Sequence, residues 1–416
     1  MSQKQYWSDL EDLNKLNNPT EAVAQDEFKE ELPFELSTGL FNATTPRRDF
    51  LKFIGFSTLA ATLVASCEMP VRKAIPYAIK PEDIVPGIPN YYASTFADGG
   101  DYCAIVIKTR DGRPIKIEGN ELSSVTKGGT SARVQASVLN LYDKTRLRFP
   151  LANGAEETFA AIDGLVKEGI GSKPGYLVTS TIISPTSKEV IAQFLAKYPA
   201  IKHITYDAYS YSGMLLANEA CYGKRTLPTY HFEKAQTIVS LGADFLGTWV
   251  SPIEFSKGYS KKRKITAKNP TISRHYQVEA MHTITGAAAD HRATCKPSEL
   301  GGVAVALYEA VANGKQSSGL SKNLNELVNK AAADLNQTRG AGLVVGSSND
   351  VNIQTVINAI NDKIGANGST INWTTTSNCK QGIDKDMVDM VAAMEAGTVG
   401  SVFFHNTNPA YDYYDR

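Results

Sequence analysis

The sequence predicts an α/β fold of doubly wound parallel sheets, with a small β-rich unit in front of them. From Gly175 onward, apolar runs typical of buried strands alternate with segments that carry apolar residues at helical spacing. Parallel strands need long crossover connections, which are usually helices, so this alternation favours doubly wound sheets. The alternation of strand and helix patterns is interrupted near residues 330–340, which indicates two such units.

Seven runs have the character of buried parallel strands. They are GYLVTS (175–180), IKHITYD (201–207), TIVSLG (237–242), RHYQVEA (274–280), GLVVGSS (342–348), TINWTT (370–375) and SVFFHN (401–406). The helical period is found in PTSKEVIAQFLAKY (185–198), SGMLLANEACYG (212–223), ELGGVAVALYEAVANG (299–314) and DVNIQTVINAINDKIG (350–365). We therefore expect one α/β domain at 151–338 and a second, truncated one at 339–416.

Composition limits the classes of protein to which the chain can belong. Of its 416 residues, 42% are hydrophobic and 21% are charged, as in globular proteins with real cores. Lys and Arg together number 43, as do Asp and Glu, so the chain has no net field that would attract nucleic acid. We expect no nucleic-acid partner.

Residues 1–46 form an acidic leader. This segment carries nine acidic residues but only three lysines, whereas the start of an export signal is normally basic. We expect the leader to be a cytoplasmic recognition segment.

Residues 47–67 resemble a twin-arginine (Tat) export signal followed by a lipobox. Arg47 and Arg48 precede an apolar run at 53–66 that is shorter than the roughly 20 residues a membrane-spanning helix needs. Val64–Cys67 has the lipobox pattern, in which the cysteine thiol is acylated. We expect a lipid anchor at Cys67 on the periplasmic side of the bacterial inner membrane. An ordinary buried helix over 47–66 is the alternative.

An extended linker and a small β unit follow. Five prolines within residues 68–100 disfavour a regular helix, so this segment is predicted to be an extended linker. In the β unit, 101–150, strands at about 102–109 and 114–118 are joined by Asp111-Gly112, a strong hairpin signal.

Ligands of doubly wound sheets bind beyond the carboxyl ends of the strands. Small residues there allow a phosphate to approach backbone N–H groups. The candidate cofactor-binding residues are Ser180, Gly242, Gly346 and Ser347. None lies in a G-x-G-x-x-G or Walker motif, so ordinary strand-to-helix turns are the alternative. The catalytic residues stay unassigned.

The cysteine and histidine spacings predict no metal site. Cysteines are far apart and form no C-x-x-C pair, whereas iron–sulfur and structural zinc sites need closely spaced thiolates. Cys103, Cys221, Cys295 and Cys379 are predicted to be small buried residues, although one disulfide stays open. The six histidines show no H-x-x-x-H spacing.

Two polar segments have structural interpretations. His282, Asp290, His291 and Arg292 form the densest polar cluster, predicted to be a hydrogen-bonded loop, with a substrate-facing role as the alternative. The basic run 261–264 is predicted to be a solvated loop.

Four motifs carry a family resemblance. They are IPYAIKPEDIVPGIPNYYAST, GRPIKIEGN, GGTSARVQASVLNLYDKTR and SLGADFLGTW. Together they resemble the molybdopterin oxidoreductase superfamily, and more narrowly the large iron–sulfur subunit of alternative complex III, a bacterial quinol:cytochrome c oxidoreductase. The resemblance covers residues 47–416 and implies a molybdopterin-oxidoreductase-like fold.

In that family, a molybdopterin-enzyme-like half that has lost its cofactor precedes a ferredoxin-like half with Cys-ligated clusters. This chain resembles the first half, so the resemblance implies no cofactor here and [4Fe-4S] and [3Fe-4S] clusters in a missing C-terminal half. Where cluster cysteines of the catalytic relatives would lie, this chain offers only Cys103. The implied partners are a multihaem cytochrome c and quinol-binding membrane subunits.

Three functions follow from these observations. The first is a scaffold subunit of a quinol-oxidising respiratory complex. The second is an active molybdopterin oxidoreductase, with molybdopterin guanine dinucleotide as cofactor and Cys221 or a serine as metal ligand. The third is an α/β lipoprotein that binds small solutes.

Overall fold

The structure, a computed structural model, describes residues 84–414 except 86, 99, 172, 268 and 269. The acidic leader, Arg47, Arg48 and Cys67 lie outside the described residues, so their predicted roles stay predictions. Within the described part, no helix is long and apolar enough to span a membrane.

A three-stranded antiparallel sheet begins the described chain. Its strands, β1 (Asn90–Asp98), β2 (Asp101–Arg110) and β3 (Arg113–Gly119), lie in sequence order. Asp111 and Gly112 join β2 to β3 with φ angles of 50° and 75°, as a two-residue hairpin turn requires, so the predicted hairpin is confirmed. The predicted linker extends to residue 100, but β1 already begins at Asn90. Pro89 is the last proline of this segment, so the backbone N–H groups beyond it are free to pair with β2.

Short elements connect this sheet to the parallel sheets. They are α1 (Ala132–Ala136), a 3₁₀ turn (Ser137–Tyr142), the two-residue strands β4 (Leu151–Ala152) and β5 (Ala155–Glu156), and α2 (Phe159–Gly169). The small unit has its own core of Cys103, Ile105, Ile117 and Val134, which Ile253 joins from a later helix.

The first parallel sheet has three strands in the order β14-β6-β7. They are β6 (Gly175–Thr179), β7 (Ile201–Thr205) and β14 (Ser401–His405). Helix α3 (Pro185–Lys197) covers one face, where the Phe194 and Phe403 rings meet at 6.0 Å. Helix α10 (Asp384–Glu395) covers the other, where Met390 packs with Val178. Helices on both faces confirm the doubly wound arrangement.

The second parallel sheet has four strands in the order β11-β10-β9-β12. They are β9 (Thr237–Leu241), β10 (Arg274–Glu279), β11 (His291–Thr294) and β12 (Gly342–Gly346). Its helices are α4 (Ser212–Tyr222), α5 (Pro252–Arg263), α6 (Ile284–Ala287), α7 (Leu300–Asn313), α8 (Lys322–Gln337) and α9 (Val351–Lys363), with a 3₁₀ turn at Pro297–Glu299. The largest apolar core of the described chain surrounds this sheet. The α/β fold class predicted by the sequence is therefore confirmed.

Six of the seven predicted strands lie in these parallel sheets, and the seventh does not. TINWTT belongs to β13 (Ile371–Ser377), which pairs antiparallel with β8 (Leu227–Tyr230) in a separate ribbon. Much of β13 is exposed, including Thr374, Thr375 and Thr376. A last short helix, α11 (Pro409–Asp412), follows β14.

The predicted domain boundary at 338/339 does not follow the strand pairing. β12 lies after that boundary but pairs with β9, and β14 pairs with β6. The chain therefore leaves the three-stranded sheet after β7, builds the four-stranded sheet, and returns with β14. Local sequence patterns carry no information on such long-range pairing, which explains the misplaced boundary.

Two segments predicted as loops are regular. Lys261, Lys262 and Arg263 form the last turn of α5, where positive charge is favoured by the helix dipole. His291 and Arg292 belong to β11, a short strand at the edge of the sheet. Cys221 was also mispredicted, because it is exposed near the end of α4, whereas Cys103, Cys295 and Cys379 are buried as expected.

Candidate functional site

A cavity of about 470 Å³ lies at the carboxyl ends of the three-stranded sheet. Ser180 and Thr181 follow β6, Asp207 follows β7, and Asn406 follows β14. Its remaining polar lining consists of Asp98, Tyr102, Tyr206, Tyr209, Lys380, Thr407, Asn408 and Asp412. We call it the carboxyl-edge cavity. It occupies the position at which doubly wound sheets bind their ligands.

Asp207 is the centre of a hydrogen-bond network that joins three loops at this cavity. Its Oδ1 accepts from the Thr181 amide at 3.1 Å, and its Oδ2 accepts from the Thr181 hydroxyl at 2.6 Å. The same Oδ2 accepts from the amides of Gln381 and Gly382 at 3.2 and 3.0 Å. A Cβ at Gly382 would lie 3.0 Å from Oδ2, so a side chain there would crowd the carboxylate.

Lys380 supplies the positive charge of the network. Its Nζ lies 4.0 Å from Asp207 Oδ1 and 5.9 Å from the centre of the Tyr102 ring. Burial holds the pKa of Lys380 below its usual range, although the Asp207 carboxylate opposes this shift. Burial, reinforced by Asp207, raises the pKa of Tyr102 well above its usual range. The phenol is therefore neutral at neutral pH.

The other predicted candidates lie at the carboxyl edge of the four-stranded sheet. Gly242 and Ser347 are neighbours there, since a Cβ on Gly242 would lie 2.6 Å from Ser347 Oγ. The Gly242 amide donates to the Val278 carbonyl at 2.6 Å, and the Ser347 amide donates to the Leu241 carbonyl at 3.1 Å. Of the four candidates, only Ser180 lines the carboxyl-edge cavity. The assignment of these residues to cofactor binding stays a prediction.

One loop contact links the two carboxyl edges. Asn349, which follows Ser347, accepts a hydrogen bond from the Gly213 amide at 2.8 Å and donates one to Asp384 at 2.7 Å. Asp384 begins α10, which packs on the three-stranded sheet. The link fixes the loop 378–384 between the two sheets.

The predicted polar cluster is divided between separate contacts. Asp290 binds Arg263 at 2.6 and 2.8 Å, and Arg292 donates to Glu279 at 2.5 Å. The His291 ring packs on Tyr276 with centroids 4.9 Å apart. His282 is exposed. The structure therefore assigns Asp290 and Arg292 to ion pairs rather than to one hydrogen-bonded loop.

Glu279 ends a row of buried polar side chains on one face of β10. His275, Gln277 and Glu279 are each at most 1% exposed and follow one another at intervals of two residues. His275 Nε2 lies 3.3 Å from Gln277 Oε1, and the Gln277 amide donates to Glu279 at 3.1 Å. The row is held together by its own hydrogen bonds.

Stability should fall in acid because of His275. Burial lowers the pKa of this histidine to about 4, whereas an unfolded histidine titrates near 6.5. The unfolded chain therefore binds the proton first, and folded-state stability is lost as pH falls from about 6.5 towards 4. Denaturant titrations across that range should show a weaker pH dependence for His275→Gln than for the unmodified chain. An unchanged dependence would contradict this role for His275.

A second cavity, of about 480 Å³, lies beside the β8–β13 ribbon. Its wall includes His231, whose Nδ1 lies 3.0 Å from Glu233 Oε1, and Glu254. Burial raises the pKa of Glu254, and the Glu233 carboxylate adds to the increase. Among the described residues, no group of three or more His, Cys, Asp or Glu side chains is arranged to hold a metal ion.

Comparisons with known proteins give only distant likenesses. No family model matches the chain. No curated protein matches it at a significant level. Among solved structures it is similar to the formyltransferase/hydrolase complex from Methylorubrum extorquens, with a TM-score of 0.37 and 15% identity over 53% of this chain and 58% of that chain. It is also similar to acetylene hydratase from Pelobacter acetylenicus, with a TM-score of 0.46 and 11% identity over 64% of this chain and 42% of that chain.

The chain spans only about half the length of both matched structures. At these TM-scores, neither likeness bears on the chemistry of the site. The fold class rests on the strand order of this chain.

The sequence reasoning missed Thr181, Asp207 and Lys380. For Asp207 a signal was present, since it is the last residue of the predicted strand run 201–207 and so stands at a carboxyl end. For Lys380 none was present. It lies in the loop that follows β13, far along the chain from Asp207.

Proposed function

We propose that the chain is a molybdopterin-oxidoreductase-like subunit of a membrane-associated quinol:cytochrome c, or more generally quinol:acceptor, oxidoreductase complex. Its main task is that of a scaffold. One observation carries the scaffold role. At the carboxyl edge, where this fold class binds ligands, the hydrogen-bond donors already bind the chain's own Asp207, and the Lys380 ammonium faces the same carboxylate. The family resemblance of the sequence motifs supports the choice of complex.

The residues at the carboxyl-edge cavity do not fit an anionic dinucleotide. A pyrophosphate needs free backbone amides and positive charge. Here the Thr181 and Gly382 amides donate to Asp207, and the ammonium of Lys380 faces the same carboxylate. Asp98 and Asp412 add negative charge to the lining. Molybdopterin guanine dinucleotide is therefore assigned no step in this chain.

Electron transfer is proposed to run through clusters elsewhere in the complex. The four described thiols lie apart from one another: Cys103 on β2, Cys221 on α4, Cys295 after β11 and Cys379 after β13. This distribution does not provide the closely spaced ligands that a cluster needs. By the family resemblance, [4Fe-4S] and [3Fe-4S] clusters are placed in a further, C-terminal half of the subunit.

Exposed apolar side chains support contact with partner subunits. Helix α2 contains no buried residue, and Phe159 on it is 75% exposed. Large exposed apolar residues recur in the small β unit and its connections, among them Tyr91, Leu139, Leu147 and Phe149. Contiguous apolar patches are typical of interaction sites, and the proposed contact surface is built from these residues. The proposed partners are a multihaem cytochrome c and quinol-binding membrane subunits.

Purification from membranes tests this function. An affinity-tagged chain should be recovered from the periplasmic face of the inner membrane together with haem-containing and quinol-binding subunits. Cys67→Ser should release it from the membrane, and Arg47→Lys with Arg48→Lys should block its export. Cys221→Ser, which changes an exposed thiol outside the lipobox, is the matched control and should behave like the unmodified chain. Recovery as a free cytosolic protein without haem would contradict the proposal.

The second cavity favours one alternative, a lipoprotein that binds small solutes. Its polar lining next to Tyr230 and Phe255 is of the kind found in small-molecule sites. Saturable binding of a small solute by the purified chain, with no haem protein recovered beside it, would support this alternative over the respiratory subunit.

A further inference from the structure

We infer that the Asp207 carboxylate is an internal anion, occupying a site that would otherwise bind inorganic phosphate or a phosphate ester. The inference rests on the contacts of Asp207 and not on the proposed subunit role, so its failure would leave that role standing. Loops that follow β6, β7 and β13 meet at this carboxylate.

The groups around the carboxylate are those of an anion site. Three backbone amides and one hydroxyl, from Thr181, Gln381 and Gly382, donate to its two oxygens. The Lys380 ammonium lies 4.0 Å away. Convergent amides with a nearby cation are the arrangement by which proteins hold phosphate.

A free anion would have a route to these donors. Thr181, Asp207 and Lys380 all line the carboxyl-edge cavity. Shortening the Asp207 side chain would therefore join the donor site to a space of about 470 Å³. In the unmodified chain the donors are occupied, and Asp98 and Asp412 in the same lining repel a second anion.

The test measures the melting temperature of the full chain in sodium phosphate and in sodium chloride of equal ionic strength. Phosphate stabilises most proteins by exclusion from their surface, so the unmodified chain sets the baseline. Asp207→Ala and Asp207→Ser, which both shorten the side chain, should each show a phosphate-specific rise roughly 2–4 °C above that baseline. Asp98→Asn removes a negative charge from the same cavity without emptying the donor site and should follow the baseline.

Outcomes for both variants bear on the inference. If Asp207→Ala unfolds in chloride, recovery of folding in phosphate supports it. A phosphate response equal to that of the unmodified chain in both variants would overturn it, as would failure of both variants to fold in either salt. If the unmodified chain itself shows a saturable phosphate response and Asp207→Ser leaves that response unchanged, the inference is also overturned, since the bound phosphate then lies elsewhere.

Discussion

Replacing Asp207 by alanine is expected to lower the free energy of unfolding by about 3–5 kcal/mol. The change removes the carboxylate that lies 4.0 Å from the buried Lys380 ammonium and accepts from the Thr181 and Gly382 amides. The Gln381 amide keeps its hydrogen bond to the Thr181 hydroxyl. Each buried donor left unpaired adds its own desolvation cost. Chemical denaturation in chloride, without phosphate, measures the effect.

Asp98→Ala is the matched control for that measurement. Asp98 lines the same cavity but is exposed, so its removal should change stability by no more than about 0.5 kcal/mol. If the two variants lose equal stability, the network around Asp207 does not hold the three loops together.

Replacing Glu279 by alanine should have an effect of similar size, about 3–5 kcal/mol. Its side chain is 2% exposed and accepts from Arg292 at 2.5 Å, from the Thr283 hydroxyl at 2.6 Å and from Gln277 at 3.1 Å. Removing the carboxylate takes away the acceptor of the partly exposed Arg292, of the half-buried Thr283 hydroxyl and of the fully buried Gln277 amide.

The contribution of Glu279 to stability should also depend on pH, in a direction set by its pKa. Burial alone would raise the pKa of Glu279, but hydrogen bonds from Thr283 and Arg292 outweigh it and hold the pKa below its ordinary value. The stabilisation is therefore present above the ordinary carboxyl pKa and is lost as pH falls below it. Denaturation at pH 7 and pH 3 should show a smaller difference between Glu279→Ala and the unmodified chain at the lower pH.

Glu118→Ala provides the comparison for Glu279. Glu118 forms an exposed ion pair with Lys116 at 2.6 Å, and exposed pairs contribute little. Its loss should leave stability unchanged within error. A Glu279→Ala variant that unfolds at the same denaturant concentration as Glu118→Ala would contradict the role assigned to the buried carboxylate.

Local chemistry made much of the fold predictable. The Asp111-Gly112 turn was readable because its positive φ angles favour these residues. Helix α9 could be predicted from the helical spacing of its apolar residues. Asp350 caps it by accepting from the amides of Asn352 and Ile353. Such features depend only on neighbours in sequence.

What the sequence could not reveal depends on pairing between distant segments. The return of β14 to β6 joins residues more than two hundred positions apart, and no local pattern records it. The short strand β11 begins with polar His291 and Arg292, so it lacks the apolar run of a buried strand. The Asp207 network is of the same kind, because Lys380, Gln381 and Gly382 reach it only through the fold.

Cofactor analysis tests most directly whether Asp207 closes the carboxyl edge of the three-stranded sheet to a cofactor. The full chain would be produced in a bacterium that makes molybdopterin guanine dinucleotide, purified beside a molybdopterin enzyme from the same host, and assayed for molybdenum, tungsten and released pterin. We predict a loaded control enzyme and no stoichiometric metal or pterin in this chain. One pterin per chain, retained through purification and lost on substitution of residues at the carboxyl-edge cavity, would contradict a carboxyl edge closed by Asp207.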